Sequence, residues 1–159
     1  MTHVHMSWGS EDDLTVASFA TVLLRLYTAF REESGKAAPE KMVPFSSNRS
    51  VCRFLAYRDQ CSAAAGMATL IVRPDGLGTS SIGIVEDVYV LPEHREQGLC
   101  TLLMREVIRQ AGKNGLVRLE LTSNPKKPGR IAAIGVYMKL GFKREDPATG
   151  GTNLYRLKL

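Results

Sequence analysis

The chain has 159 residues, of which 44% are hydrophobic and 23% are charged, and its net charge is +5. This size and composition indicate one globular domain and exclude a disordered or fibrous protein. No apolar run approaches the roughly 20 residues that span a bilayer, and residues 1–13 lack the apolar centre of a signal peptide, so we expect a cytoplasmic protein without a membrane partner.

The order of apolar patterns predicts a mixed α/β domain over residues 1–159, with residues 1–10 as a flexible tail. Ser10 and Asp13 give an N-cap signal, and apolar residues then recur at helical spacing as far as Phe30. Strands are predicted at residues 51–57, 62–72, 82–91, 116–122, 142–144 and 153–157. Further helices are predicted at 99–111 and 131–140, and a short helical turn at 39–44.

Cysteine and histidine residues form neither a disulfide framework nor a metal-ligand pattern. Cys52, Cys61 and Cys100 are odd in number and widely spaced, and there is no CxxC pair. His3 and His5 lie in the predicted tail, where they could chelate a metal only adventitiously. We therefore expect no metal cofactor and a reducing compartment.

The segment from Val88 to Leu103 combines a strand, a proline-containing loop and a helix with glycine in its first turn. Unpaired N–H groups at a helix N-terminus carry about half a unit of positive charge. Gly98 lets a ligand approach the backbone, and Arg95 adds a cation. This pattern indicates a phosphate-binding turn, and an ordinary turn with a solvated arginine is the alternative. The P-loop and dinucleotide fingerprints are both absent.

This segment resembles motif A of the GNAT superfamily of acetyl-CoA-dependent N-acetyltransferases. The pattern Arg/Gln-x-x-Gly-x-Gly/Ala is matched by Arg95, Gly98 and Cys100, with cysteine where glycine or alanine is usual. The resemblance implies that backbone amides of the turn hold the CoA pyrophosphate, with Arg95 alongside. The implied backbone positions are Gln97, Gly98, Leu99, Cys100 and Thr101.

The segment from Arg130 to Phe142 resembles GNAT motif B, Ala-x-x-x-Tyr-x-x-x-Gly-Phe, through Ala133, Tyr137, Gly141 and Phe142. Arg130 stands where many members have asparagine, and the preceding loop is longer than usual. The resemblance implies that Asn124, Arg130 and Ala133 bind the cofactor. It also implies a mostly antiparallel, twisted sheet of about six or seven strands with splayed central strands, flanked by about four helices.

The implied reaction is direct transfer of an acetyl group from acetyl-CoA to a primary amine in a ternary complex. Tyr137 is the implied general acid, because a tyrosine with an ordinary pKa near 10 is protonated at neutral pH; packing on a helix is the alternative. Two carboxylates interrupt an apolar strand at Glu86 and Asp87. We expect Glu86 as the first choice of general base and Asp87 as the second. The alternative is that both carboxylates are simply exposed to solvent. Backbone N–H groups of Val88 and Val90 are implied to bind pantetheine.

The acceptor class stays open between a small-molecule amine and a peptide amine, and the family suggests a homodimer. Glu32, Glu33 and Glu40 could form an acidic rim for a cationic amine or simply a solvated helix end.

A non-catalytic acyl-CoA-binding sensor or interaction module is the alternative function. Nucleic acid is not expected as a partner, because basic residues are scattered and aromatic residues make up only 7%. Instead, we expect Arg95, Lys126, Lys127 and Arg130 to flank the CoA entrance.

Overall fold

The computed structural model describes residues 2–7, 16–38, 50–58, 63–147 and 151–159. The described strands and helices are, in chain order, β1 (His3–Ser7), α1 (Val16–Glu33), β2 (Val51–Tyr57), β3 (Ala64–Pro74), β4 (Ser81–Val90), α2 (Leu99–Lys113), β5 (Arg118–Ser123), α3 (Arg130–Lys139), β6 (Lys143–Pro147) and β7 (Asn153–Lys158). A single 3-10 turn, Pro92–His94, separates β4 from α2.

The strands form one seven-stranded sheet in the order β1-β2-β3-β4-β5-β7-β6. Neighbouring strands are antiparallel except β4 and β5, which are parallel, so the predicted mixed and mostly antiparallel sheet is confirmed. The described residues contain three α-helices rather than about four. The helical turn expected at 39–44, and with it Glu40, lies outside the described residues, as do Ser10, Asp13 and Cys61.

The expectation of a flexible tail over residues 1–10 is wrong for His3–Ser7, which pair with β2 as an edge strand. The ring of His3 stacks on that of Tyr57, with centroids 5.2 Å apart. Val4 and Met6 pack against the core, whereas His3 and His5 are exposed. This alternation is the pattern of a strand with one buried face. Strand β1 is not evident from the sequence because the segment is short and half of its residues are polar.

Helices cover both faces of the sheet and enclose two apolar clusters. Helix α1 contributes Leu23 and Leu26, which are fully buried against residues of β2, β3 and β4. On the other face, Leu103 and Val107 of α2 pack with Phe142 and with further residues of the central strands. Because apolar residues recur every three or four positions in these helices, each helix presents one continuous face to the sheet. None of the described helices has the length and apolar character that a membrane span requires.

The central strands β4 and β5 separate after three pairs of residues. Their parallel pairing runs only from Ile82 opposite Arg118 to Ile84 opposite Glu120. Further along β4, a register shift against β3 inserts one extra residue between Glu86 and Tyr89. Such a bulge bends a strand and increases its twist. The predicted splay of the central strands is therefore present, and it opens a gap between the ends of β4 and β5.

Candidate active site

A cavity of about 270 Å³ lies in this gap. Residues 85–88 of β4 form one wall, and residues 121–124 at the end of β5 form another. The rest of the wall comes from Phe30, Lys127, Arg130, Tyr137 and Thr152. Among the predicted site residues, the fold therefore brings together Glu86, Asp87, Val88, Asn124, Arg130 and Tyr137. Val90 and Ala133 belong instead to the apolar packing beside the cavity.

Tyr137 is the most buried titratable group on the cavity wall. Its side chain is only 3% exposed and packs against the ring of Phe142, with centroids 6.1 Å apart. Burial raises the pKa of Tyr137 above its ordinary value near 10, and the neighbouring Cys100 adds to the rise. The phenol therefore keeps its proton at neutral and moderately alkaline pH, as a proton donor in the cavity must.

Cys100 lies close to this tyrosine but is not suited to nucleophilic chemistry. Burial raises the pKa of the Cys100 thiol to about 11. The thiolate, which is the nucleophilic form, is therefore scarce at neutral pH despite the position of this residue at the start of α2. A covalent acyl-cysteine route finds no support in this environment.

The two carboxylates of β4 differ in environment. Glu86 is exposed, and no hydrogen bond to its carboxylate is found among the described residues. Asp87 is half-buried and accepts a hydrogen bond from the Tyr27 hydroxyl. Its φ of +52° lies in the left-handed region, which a residue other than glycine occupies only at a cost. The alternative of a solvent-facing pair therefore fits Glu86 and not Asp87.

The turn before α2 presents backbone donors to an open surface. Glu96 and Gly98 both have left-handed backbones, with φ of +62° and +81°. Gly98 is the N-cap of α2, and no side chain caps the first N–H groups of the helix. Apart from Gly98 and its two chain neighbours, no heavy atom of the described residues lies within 4 Å of the position that a Cβ of Gly98 would occupy. Successive N–H groups in such a conformation bind anions, so the geometry of a phosphate-binding turn is present.

Arg95 contacts the end of α1 rather than lying free beside this turn. Its Nη2 donates to both carboxylate oxygens of Glu33 at 2.6 and 2.9 Å, and its Nε donates to the Val90 carbonyl at 3.0 Å. The hydroxyl of Tyr89 donates to the same carboxylate at 2.9 Å. The hydrogen bonds from Arg95 hold the pKa of Glu33 below its usual range. The sequence left Glu33 open between an acidic rim and a solvated helix end, and in the structure this exposed carboxylate at the end of α1 is the partner of Arg95.

The loop before α3 and the first residue of α3 place cations on the cavity wall. Lys127 and Arg130 line the wall, and the Arg130 guanidinium lies 5.8 Å from the ring centroid of Phe30. Lys126 is exposed, and its backbone N–H donates to the Asn124 side-chain oxygen at 2.9 Å. Asn124 therefore shapes this loop as well as lining the cavity.

Ser123 is a wall residue that sequence reasoning missed. Its side chain is 5% exposed, and its hydroxyl has no hydrogen-bond partner among the described residues. Buried hydroxyls are nearly always paired, so an unpaired hydroxyl on a residue of the cavity wall is a candidate for a ligand contact. No local pattern marks it, because a serine at the end of a strand is commonplace.

The family model described as Acetyltransferase (GNAT) family matches residues 19–142. One curated relative, an aminoglycoside N(6')-acetyltransferase type 1 from Acinetobacter haemolyticus, is 30% identical over 84 residues. That match spans 52% of this chain and 58% of the relative's length.

Solved structures with the same fold cover nearly the whole chain. An acetyltransferase of the GNAT family from Streptococcus pneumoniae has a TM-score of 0.75 at 17% identity, with both chains fully covered. An aminoglycoside acetyltransferase from an uncultured soil metagenomic sample has a TM-score of 0.71 at 18% identity, with 92% of this chain and 94% of that chain covered. An acyl-CoA N-acyltransferase from Pseudomonas aeruginosa has a TM-score of 0.68 at 16% identity, with 98% and 99% covered. At these identities the likeness concerns the fold alone.

Proposed function

The chain belongs to the acetyltransferase (GNAT) family, and we propose that it moves an acetyl group from acetyl-CoA directly to a primary amine in a ternary complex. The observation that carries this proposal is the cavity between β4 and β5. A buried, protonated tyrosine lies on its wall together with two carboxylates. A proton donor and a proton acceptor on one cavity are the groups that amide formation from a thioester requires.

In the proposed reaction, a neutral amine nitrogen attacks the carbonyl carbon of the thioester and forms the C–N bond. The amine proton passes to Glu86 or Asp87, directly or through water. The C–S bond then breaks with its electron pair on sulfur, and Tyr137 donates its proton to that sulfur. The products are an N-acetylated amine and CoA with a free thiol. The proton held by the carboxylate returns through solvent to the Tyr137 phenolate, which restores the starting state.

Several features of the chain fit CoA as the acyl carrier. Backbone amides of residues 97–101 would hold the pyrophosphate at the uncapped N-terminus of α2. Lys126, Lys127 and Arg130 would offset phosphate charge. The unpaired stretch of β4 that includes Val88 would hold the pantetheine arm, and the orphan hydroxyl of Ser123 offers it a polar contact. Val90 and Ala133 would support this stretch through packing.

We propose a cationic small-molecule amine as the acceptor, with a peptide amine as the second class to test. Glu86 and Asp87 place two carboxylates on the cavity wall, and they would attract an ammonium group before it loses its proton. The aminoglycoside acetyltransferases among the similar proteins favour the same class.

The free thiols of Cys52 and Cys100 are compatible with a cytoplasmic setting. A homodimer stays a prediction.

The proposal is tested by incubating the protein with acetyl-CoA and a panel of amines. The panel contains an aminoglycoside, a polyamine, an amino acid and a peptide with a free N-terminus. Release of CoA thiol and the mass of the acetylated amine are measured. We expect turnover on at least one cationic amine. Stabilisation by acetyl-CoA without turnover on any amine would instead support the non-catalytic sensor.

Tyr137→Phe gives the sharper prediction within the same assay. Loss of the donated proton should lower kcat by about a hundredfold, a magnitude typical of a general acid. Thermal stabilisation by acetyl-CoA should be retained, because the ring is kept. Tyr155→Phe, on a buried tyrosine of β7 outside the cavity wall, serves as the control. Equal turnover by Tyr137→Phe and the control would remove Tyr137 from the acid role.

A further inference from the structure

A hydrogen bond joins α1 to the bulged segment of β4. The Tyr27 hydroxyl of α1 donates to the Asp87 carboxylate. The side chain of Thr69, on β3, lies near Tyr27 and lowers its pKa against the larger effect of burial. Thr69 is buried, and Tyr27 and Asp87 are half-buried, so the contact is partly shielded from water. A hydrogen bond to a charged group in such a setting is stronger than one in water and holds its members in fixed orientations.

Tyr27 contacts Asp87 from α1. Asp87 lies on the cavity wall, whereas Tyr27 does not. Burial raises the pKa of Tyr27 above its ordinary value, and the hydrogen bond to Asp87 raises it further. Tyr27 therefore stays a donor throughout the neutral range. A fixed donor on one carboxylate oxygen leaves the other oxygen for a group inside the cavity.

The backbone explains why Asp87 and not Glu86 makes this contact. The bulge inserts one residue into β4, and Asp87 adopts φ +52° within it. Backbone strain of this kind persists only where surrounding contacts enforce it, and it is concentrated at functional sites. The hydrogen bond from α1 is such a contact. Glu86, by comparison, lies in register opposite Thr69 and is exposed.

We propose that Asp87 is the proton acceptor for the incoming amine and that Tyr27 is a positioning residue that orients its carboxylate. This inference rests on the proposed acetyl transfer and deepens it. Tyr27 itself does not touch the reacting atoms.

A double-mutant cycle tests the proposal, with acetyl-CoA and the panel amine that the unchanged protein acetylates fastest. Tyr27→Phe should lower kcat by about tenfold while the KM for acetyl-CoA changes less than about twofold. In the Asp87→Asn background, Tyr27→Phe should have almost no further effect, because its target is gone. Asp87→Asn should cost more kcat than Glu86→Gln. Tyr57→Phe is the matched control, since Tyr57 is a half-buried tyrosine of β2 outside the cavity wall.

A second measurement does not depend on activity. Ultraviolet titration of the tyrosines should show one ionisation that Asp87→Asn moves to lower pH and that Tyr27→Phe removes. Fully additive effects on kcat, or a larger loss in Glu86→Gln than in Asp87→Asn, would overturn the inference while leaving acetyl transfer intact. Absence of turnover by the unchanged protein on every amine would overturn the proposed function itself. Stabilisation by acetyl-CoA checks that each variant is folded.

Discussion

Burial of single polar groups distinguishes the residues of this site from their neighbours. Tyr137 and Tyr27 are both tyrosines whose pKa is raised by burial, but one lies on the cavity wall and the other donates to a carboxylate. Ser123 is buried on the same wall with an unpaired hydroxyl. Loss of water around a polar group therefore keeps both phenols protonated and leaves one hydroxyl without a partner among the described residues.

Ser123→Ala tests whether the Ser123 hydroxyl contributes to the binding of acetyl-CoA or to the stability of the fold. The substitution removes a buried hydroxyl that has no partner among the described residues, so thermal stability should be unchanged or slightly higher. If the hydroxyl contacts the bound pantetheine arm, the KM for acetyl-CoA should rise by about three- to tenfold, which corresponds to a hydrogen bond of about 1 kcal/mol. Ser81→Ala, at the start of β4 and outside the cavity wall, is the control. An unchanged KM in Ser123→Ala would mean that the hydroxyl has no ligand.

At the scale of elements, the function depends on where regular structure is interrupted. Strand β4 leaves β5 after Ile84, and its bulge brings Asp87 into contact with α1. Helix α2 begins at a left-handed glycine without a side-chain cap. Each interruption leaves backbone N–H and C=O groups without the hydrogen bonds that they would make in a continuous strand or a capped helix. The same interruptions create the cavity and the phosphate-binding turn.

Gly98→Ala tests the start of α2. The φ of +81° is strained for alanine, so we expect a loss of about 1 kcal/mol in the free energy of unfolding. The added methyl group would also project into the open space before the helix, so stabilisation by acetyl-CoA in a thermal-shift assay should fall sharply. Gly112→Ala lies inside the same helix, with free space and no positive φ, and should stabilise the fold by about 0.5–1 kcal/mol with acetyl-CoA binding unchanged. Equal ligand stabilisation in both variants would contradict the assignment of this turn.

Over the whole molecule, the net charge of +5 is only partly available to a ligand. Arg95 is paired with Glu33. On another part of the sheet, Arg118 and Arg156 lie 2.9 and 3.0 Å from Glu120. Lys126 and Lys127 are exposed beside the cavity, and no ion pair to either is found among the described residues. Among the residues that contribute to the net positive charge, these two lysines are best placed to contact phosphate groups.

Replacing both Lys126 and Lys127 with alanine should therefore raise the KM for acetyl-CoA and weaken its dependence on salt. Exposed charges act through a field that salt screens over about 10 Å, so the KM of the unchanged protein should rise with ionic strength. Replacing the exposed Lys36 and Lys143, which lie outside the cavity wall, changes the net charge equally and is the control. The same salt dependence in all three proteins would mean that the lysine pair faces solvent only.

Most elements and both motifs could be predicted from local patterns in the sequence. Strands β2 and β4 and helices α2 and α3 lie within a few residues of their predicted ranges, because apolar periodicity is a local property. The left-handed turn before α2 and the place of Tyr137 on the cavity wall agree with the motifs, since each motif occupies one continuous segment, whereas the roles of these residues stay predictions. The overall class, a mixed and mostly antiparallel sheet with helices on both faces, followed from the resemblance that these motifs carry.

The contacts between groups on different strands and helices could not be predicted from the sequence. Arg95 and Glu33 are 62 residues apart, and Tyr27 and Asp87 are 60 apart. No periodicity relates such positions, because their contact depends on how α1 packs on the sheet and on the extra residue in β4. The pairing of β1 and the orphan hydroxyl of Ser123 are likewise consequences of packing. Local patterns fix where a helix or strand forms, whereas the environment of a carboxylate or a hydroxyl is set by chain segments that are distant in sequence.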